Sequence, residues 1–549
     1  MFDFKGFISA LLGKKSEDPV GNLKSATIWV QELPESDIQE GVEEIIKALG
    51  SINQNKRTSL KERIQVLMYL DEKATTLQDT LCQEYLANID APDAPEKLFL
   101  PTILGFWDEM AEGYQICLRE FARTPSNKLW EKIPLLTART IRYYGMQVKW
   151  KFMRYLPVEP QIWRYLHRLY LFAEREHFAQ TSLRLYPHLS EETSCTSEYL
   201  QPIMLQIANP ESLQPAQIDM VDRWLDSWAR SINLETEFRP HRQIYAVNLA
   251  DGKAAKKLRR NMLGEKYRYW GVGLMLVAIT KAIDQLKNGE MPARLKLGED
   301  CRLPACLDLI ELCAQRWAGK GAKRKHERQP TVKAVHVVQG LNAIVEQLLP
   351  GAKSTGAKTV ERREVDQQII DYKLTDVTVM GPPSGEDTLS GDEEELFEPK
   401  LNQWYMENES MSGYGASFEA SGRNPLKIGT LVGLKPDDQK HYAIGIVRRI
   451  NKEVSSKVHV GIQTLSQTPI IVQLTPSLPS KATPVRAIYL PALPEAQAAR
   501  TLLLPAKSYT RGETMTLQAQ GKTYSIKLQH ALEHSADYAH ANFDVLAKL

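Results

Sequence analysis

Two arginines four positions apart, Arg324 and Arg328, sit in a basic run just ahead of a valine-rich segment. A guanidinium can fork onto a phosphate, bond the acceptor edge of a purine, or stack on its ring. A pair of them on one flexible segment could therefore clamp a flat anion, with Lys323 and Lys325 adding positive potential. Downstream, Asn408-Glu409-Ser410-Met411-Ser412-Gly413 places two short polar side chains two residues apart, ahead of a glycine. On extended backbone residues two apart face the same side, so Asn408 and Ser410 point together. Both can hydrogen bond a base edge or a phosphate. Gly413 would permit close approach of the backbone or a positive φ. Each stretch alone says little in a chain with 69 lysines and arginines, because a basic run reads as a solvated linker. Asn, Ser and Gly also dominate turns for mechanical reasons. The weight rests on both stretches occurring in order, each beside a strand.

Other constellations fit their chemistry less well. His530-Ala-Leu-Glu533-His534 has the letters of a zinc peptidase signature, in which two histidines on one helical turn hold the metal and the glutamate acts as base. Fifteen residues follow it and none is glutamate, leaving only His540 as a third ligand. Surface histidines on a terminal helix are the weightier reading, and a metal-dependent hydrolase stands as a distant alternative. The run from Gly351 to Thr359 resembles a phosphate loop, but Ala357 intrudes between the second glycine and the lysine and a helical piece precedes it, so it reads as linker. The pair Arg362 and Arg363 lacks a second arginine four positions on.

The elements that would position these residues follow from patterning. At 549 residues, with 43% hydrophobic and 25% charged content, the chain must hold several modules, three or four by length. A formal charge of +2 gives no field that would hold a nucleic-acid polymer or an anionic membrane, so anion recognition must be local. Six cysteines without a C-x-x-C pair predict reduced thiols and a cytoplasmic protein. The longest apolar stretch, Tyr269 to Ile279, is too short to cross a bilayer and reads as a buried helix. At the N-terminus Phe4, Phe7, Ile8, Leu11 and Leu12 share a helical face ahead of Lys14 and Lys15. They read as a short helix docked on the protein's own body, with an interfacial anchor as the alternative.

From about Ser36 to Trp317 the apolar residues repeat with helical spacing, as in Val42, Ile45, Ile46 and Leu49. Ser36 and Gln39 suggest a capped start and Gly50 a stop. Trp163, Leu166 and Tyr170 sit at the spacing of a tetratricopeptide helix, without a second copy. The basic stretch Lys253 to Arg268 reads as the solvated face of a helix whose apolar face includes Leu258 and Met262, and Cys306, Ile310, Cys313 and Trp317 as a buried helix face. Beyond Trp317 strand-like pieces appear: TVKAVHVV, the region of Trp404 and Tyr405, LKIGTLVGL, HYAIGIVRRI, KVHVGIQTL and PIIVQL. A polar, acidic insertion spans residues 350–400, and a hairpin of Met515, Leu517 and Ala519 against Tyr524, Ile526 and Leu528 turns at Gln520 and Gly521.

The order Arg324-x-x-x-Arg328, strand, Asn408-x-Ser410-x-x-Gly413, then strands ending in VHVGIQTL resembles a PilZ domain over roughly Lys323 to Leu474. The resemblance implies a six-stranded antiparallel β-barrel whose ligand is cyclic di-GMP. Arg324, Arg328, Asn408, Ser410 and Gly413 would bind it, with Lys323 and Lys325 accessory, and the helix-like piece Leu341 to Leu349 would loop out with the insertion. The expected architecture is multi-domain α+β. An all-helical domain spans Met1 to Gly319, a PilZ-like barrel Lys320 to Pro476, and a β-rich module the rest to Leu549. The expected function is a cyclic di-GMP receptor without cofactor or enzymatic activity, which couples ligand binding to a protein partner through the helical domain. A PilZ-like scaffold that binds no nucleotide is the alternative. No residue chooses among motility, pili and exopolysaccharide as outputs.

Overall fold

The computed structural model describes residues 20–34, 37–89, 98–320, 327–349, 404–420, 426–477, 483–492, 499–519 and 521–549. Outside them lie Lys323, Arg324 and Lys325, the N-terminal apolar face, Ser36, Gln520, and the insertion with its phosphate-loop look-alike. The chain divides into two compact units. One comprises Met1–Pro330, Asn408–Gly429 and Val447–Gln463; the other comprises Thr331–Glu407, Thr430–Ile446 and Thr464–Leu549.

The N-terminal region of the first unit is mainly helical: α1 (Leu23–Val30), α2 (Ile38–Gln54), α3 (Leu60–Ala87), α4 (Leu100–Arg123), α5 (Asn127–Trp130), α6 (Ile133–Met153), α7 (Pro160–Arg175), α8 (Cys195–Ile207), α9 (Pro215–Trp228), α10 (Gly273–Lys287) and α11 (Ala305–Trp317). In α2 the residues Val42, Ile45, Leu49 and Ile52 recur every three or four positions, and all are buried. Its N-cap is Asp37, whose carboxylate accepts from the Glu40 amide, and the helix runs through Gly50 to Gln54. Trp163, Leu166 and Tyr170 on α7 are plain core. So are Cys306, Ile310, Cys313 and Trp317 on α11.

Three expectations fail here. The stretch Lys253 to Arg268 is not a helix. It belongs to a small antiparallel sheet ordered β2-β1-β3, built from β1 (Tyr245–Asn248), β2 (Lys256–Lys257) and β3 (Tyr267–Trp270). Aromatic residues favour strand at β3, where Tyr245 pairs with Trp270 and Val247 with Arg268. Arg268 is buried and donates through Nε to Glu174 Oε1 at 2.7 Å instead of facing water. The apolar stretch Tyr269 to Ile279 is consequently split between β3 and α10, and Leu274 and Val277 on α10 are exposed. Finally, Cys301 and Cys306 form a disulfide with Cα atoms 5.2 Å apart, so the thiols are not all reduced.

Two closed barrels follow. The first takes the strand order β4-β5-β6-β9-β8-β7, with β4 (Gln329–Gln339), β5 (Trp404–Ser410), β6 (Gly413–Glu419), β7 (Leu431–Pro436), β8 (Ala443–Lys452) and β9 (Lys457–Ser466). Tyr414, Ala416 and Phe418 on β6 and Val458, Val460 and Ile462 on β9 alternate into its interior. The second takes the order β10-β11-β12-β15-β14-β13, with β10 (Ile470–Pro476), β11 (Val485–Leu490), β12 (Thr501–Pro505), β13 (Thr514–Ala519), β14 (Lys522–His534) and β15 (Tyr538–Lys548). The expected C-terminal β-rich module is thus a complete barrel. It includes β10, the PIIVQL segment read from sequence as part of the first. Its hairpin pairs Met515 with Ile526 and Leu517 with Tyr524.

Residues Leu341–Leu348 form α12, which does not loop out. Gly340, at φ 85°, turns the chain into it, and Leu341, Ile344 and Val345 bury themselves in one apolar cluster. The cluster also holds Leu431, Ile444 and Ile446 from the first barrel's strands and Ile488, Leu490, Leu503 and Tyr538 from the second's. Asp537 Oδ2 accepts the Leu341 amide at 2.8 Å, satisfying one of the helix's open N–H groups.

Candidate ligand-binding site

Arg328 stands immediately before β4, and Asn408 lies on β5. Although 80 residues separate them, Arg328 Nη1 donates to Asn408 Oδ1 at 2.9 Å, so the long insertion leaves the two sequence stretches in contact. The acceptor of Asn408 is thereby fixed on the guanidinium.

Ser410 and Gly413 frame the tight turn between β5 and β6. Ser410 Oγ donates to the Gly413 carbonyl at 3.1 Å and lies 3.4 Å from Ser412 Oγ. In this conformation the serine closes a hairpin, as the turn preference of such residues suggests. Gly413 is needed for close approach, but of protein backbone: a Cβ there would stand 2.2 Å from the Ile462 carbonyl oxygen on β9. It is not among the residues at positive φ.

Sequence reasoning missed three neighbours. Gly415 is the cross-strand partner of Gly461, and a Cβ on Gly415 would lie 2.6 Å from both Nδ2 and Oδ1 of Asn408. A Cβ on Gly461 would lie 3.3 Å from Cβ and 3.7 Å from Nε of Arg449 on β8. These side chains share one face of the sheet, opposite the apolar face of Tyr414, Ala416 and Phe418. Its register is continued by Gln463, partner of Gly413, whose Oε1 accepts from Arg448 Nε at 2.8 Å. At the far end, His459 Nε2 meets Glu453 Oε1 at 2.7 Å, and this hydrogen bond holds the Glu453 carboxyl below its usual range. The available signal was the spacing of two between Gly413 and Gly415 and between Gly461 and Gln463, which puts each pair on one strand face.

The terminal histidines do not gather. His530 and His534 lie on strand β14 rather than on a helical turn, and Glu533 pairs in register with the buried His540. His540 Nε2 is instead engaged with Thr501 Oγ1 at 2.8 Å, and His530 Nε2 with Asn542 Nδ2 at 3.1 Å. Among the described residues no group of three or more His, Cys, Asp or Glu is disposed to hold a metal ion. Nor is any described helix long and apolar enough to cross a membrane.

Three family models match the chain in succession. Residues 24–241 match the N-terminal domain of the cyclic-di-GMP receptor FimW, residues 346–469 its middle PilZ domain, and residues 470–546 the FimW C-terminal β-barrel domain. The boundary at 469/470 coincides with the start of β10. No curated protein and no solved structure matches.

Proposed function

This chain belongs to the family of the cyclic-di-GMP receptor FimW, and from that premise we propose that its PilZ barrel binds cyclic di-GMP on the wall bearing Asn408. Arg328 and Asn408 take the ligand's phosphate and guanine edge. Arg324 serves as the second arginine of the clamp with Lys323 and Lys325 accessory, and the Ser410–Gly413 turn bounds the ligand. The observation that carries this reading is the Arg328–Asn408 hydrogen bond, which joins the two diagnostic stretches across 80 residues.

Binding is transmitted to the helical region and to a protein partner docked there. Two contacts support that route within the first compact unit. The Lys452 amide at the end of β8 donates to the Tyr155 carbonyl at 2.8 Å. Gln214 Nε2, capping α9, donates to the Ile428 carbonyl at 3.2 Å. A ligand that binds two arrangements of this junction unequally shifts their populations.

Calorimetric titration with cyclic di-GMP, with other nucleotides as controls, tests the reading. Arg328→Ala is expected to weaken binding at least tenfold, about 1.4 kcal/mol. Full affinity in that variant removes Arg328 from the site, and absence of binding by the unaltered protein favours a scaffold that works by protein contacts alone.

A further inference from the structure

Asn408, Gly415, Gly461 and Arg449 occupy adjacent positions on β5, β6, β9 and β8, four strands that are neighbours in the first barrel. We propose that this row is a single binding platform and that Arg449 is a second ligand-contacting guanidinium, facing Arg328 across it. The inference rests on the receptor reading above and deepens it.

Neighbouring strands lie about 4.8 Å apart, so the row spans on the order of 14 Å. Its two middle positions are glycines, and the room their missing Cβ atoms leave is taken up by the side chains at the row's two ends. Asn408 leans inward over Gly415 from one end, and Arg449 leans inward over Gly461 from the other, with Nε 3.7 Å from where that Cβ would stand. Gly415 and Gly461 are direct cross-strand partners, so the two overhanging groups are one inter-strand step apart.

Charge points the same way. At one end, the Arg328 guanidinium is bound to Asn408. At the other, Arg448 is engaged with Gln463, whereas the Arg449 guanidinium has no ion pair or hydrogen bond among the described residues and its side chain is exposed. Two consecutive arginines beside the glycine pair thus divide their work: Arg448 is engaged with Gln463 and Arg449 overhangs Gly461. A planar guanidinium approaching from that side forks onto a phosphate or a guanine edge that Arg328, at the opposite end, does not reach.

The test is equilibrium binding of cyclic di-GMP to the full chain carrying Arg449→Ala, Arg449→Lys, Gly461→Val or Arg328→Ala, with thermal unfolding of each. Arg449→Ala is expected to weaken binding tenfold or more at an unaltered unfolding temperature, as befits an exposed side chain. Arg449→Lys is expected to restore only part of the affinity, because lysine keeps the charge but not the fork. Gly461→Val is expected to block the platform at least as severely. Unchanged affinity in Arg449→Ala alongside loss in Arg328→Ala overturns this inference and leaves the receptor reading standing. Absence of binding by the unaltered protein overturns both.

Discussion

The Asn408 side chain occupies the space that a Cβ on Gly415 would need, with both of its terminal atoms 2.6 Å from that point. Glycine at 415 is therefore a condition for the Arg328–Asn408 hydrogen bond. Gly415→Ala is expected to push the amide aside, cost about 1–3 kcal/mol of stability through overpacking, and weaken cyclic di-GMP binding roughly tenfold. Urea denaturation and calorimetry on the same sample check both; retained affinity would mean that Asn408 can bind from another rotamer.

Ser410 has a structural partner in the Gly413 carbonyl, so its replacement has a cost independent of ligand. Ser410→Ala is expected to lose about 1 kcal/mol of unfolding free energy, the ordinary net value of one hydrogen bond. A loss of affinity with no loss of stability would instead make Ser410 purely a ligand group.

The helical region should be sensitive to acid. Lys149 Nζ on α6 meets Asp219 at 2.7 Å and Asp222 at 2.9 Å on α9. Burial alone would lower the pKa of this lysine, but the two carboxylates outweigh it and hold the ammonium above its usual range. Burial likewise works to raise Asp219, yet Lys149 and Arg223 keep it below its ordinary value. A carboxyl depressed in the folded state contributes stability that is full above its unfolded value and is lost as pH falls through the folded one. Stability is therefore expected to decline from about pH 4 downward. The raised lysine acts at the other end, its contribution full below about pH 10.4 and lost as pH rises through the folded value. Lys149→Met, which removes the cation beside Asp222 and leaves Asp219 with Arg223 alone, is expected to cost about 3 kcal/mol at neutral pH and to flatten the acid slope. Urea midpoints measured from pH 3 to pH 7 for both proteins decide it, and an unaltered slope would refute the assignment.

At α12 the Asp537 carboxylate accepts the Leu341 amide, so Asp537→Ala is expected to lose about 1 kcal/mol, the usual value of an N-terminal cap. Ile344→Ala, at a side chain only 1% exposed, is expected to lose about 2–5 kcal/mol. Denaturant unfolding of the two variants distinguishes a cap from a core residue; equal losses would contradict that division.

Sequence periodicity was a sound guide where elements are long. The three- and four-residue repeat of α2 and the alternation of VHVGIQTL each identify their element without ambiguity. It misled where tertiary partners decide. Lys253 to Arg268 has the charges of a solvated helix, but β3 is held by pairing with β1 and by Glu174, neither visible locally. The histidines at 530 and 534 match a helical signature in letters while the strand hydrogen bonds of β15 dictate their backbone. PIIVQL reads as one more strand in a series, and nothing in it tells which barrel it closes. At the candidate site, Asn408 and Ser410 stood out in the sequence only through the order of their stretch after Arg324 and Arg328, each beside a strand. Gly415, Gly461 and Arg449 were not, because only the barrel's strand order brings them into one row.

The α12 cluster bears on how this chain can be cut or recombined. Leu341, Ile344 and Val345 are covered on one side by Leu431, Ile444 and Ile446, and on the other by Ile488, Leu490, Leu503 and Tyr538. A fragment ending before Val485 would expose a greasy surface to water and invite aggregation. The two barrels are accordingly expected to stay soluble only when expressed as one piece, whatever their separate roles.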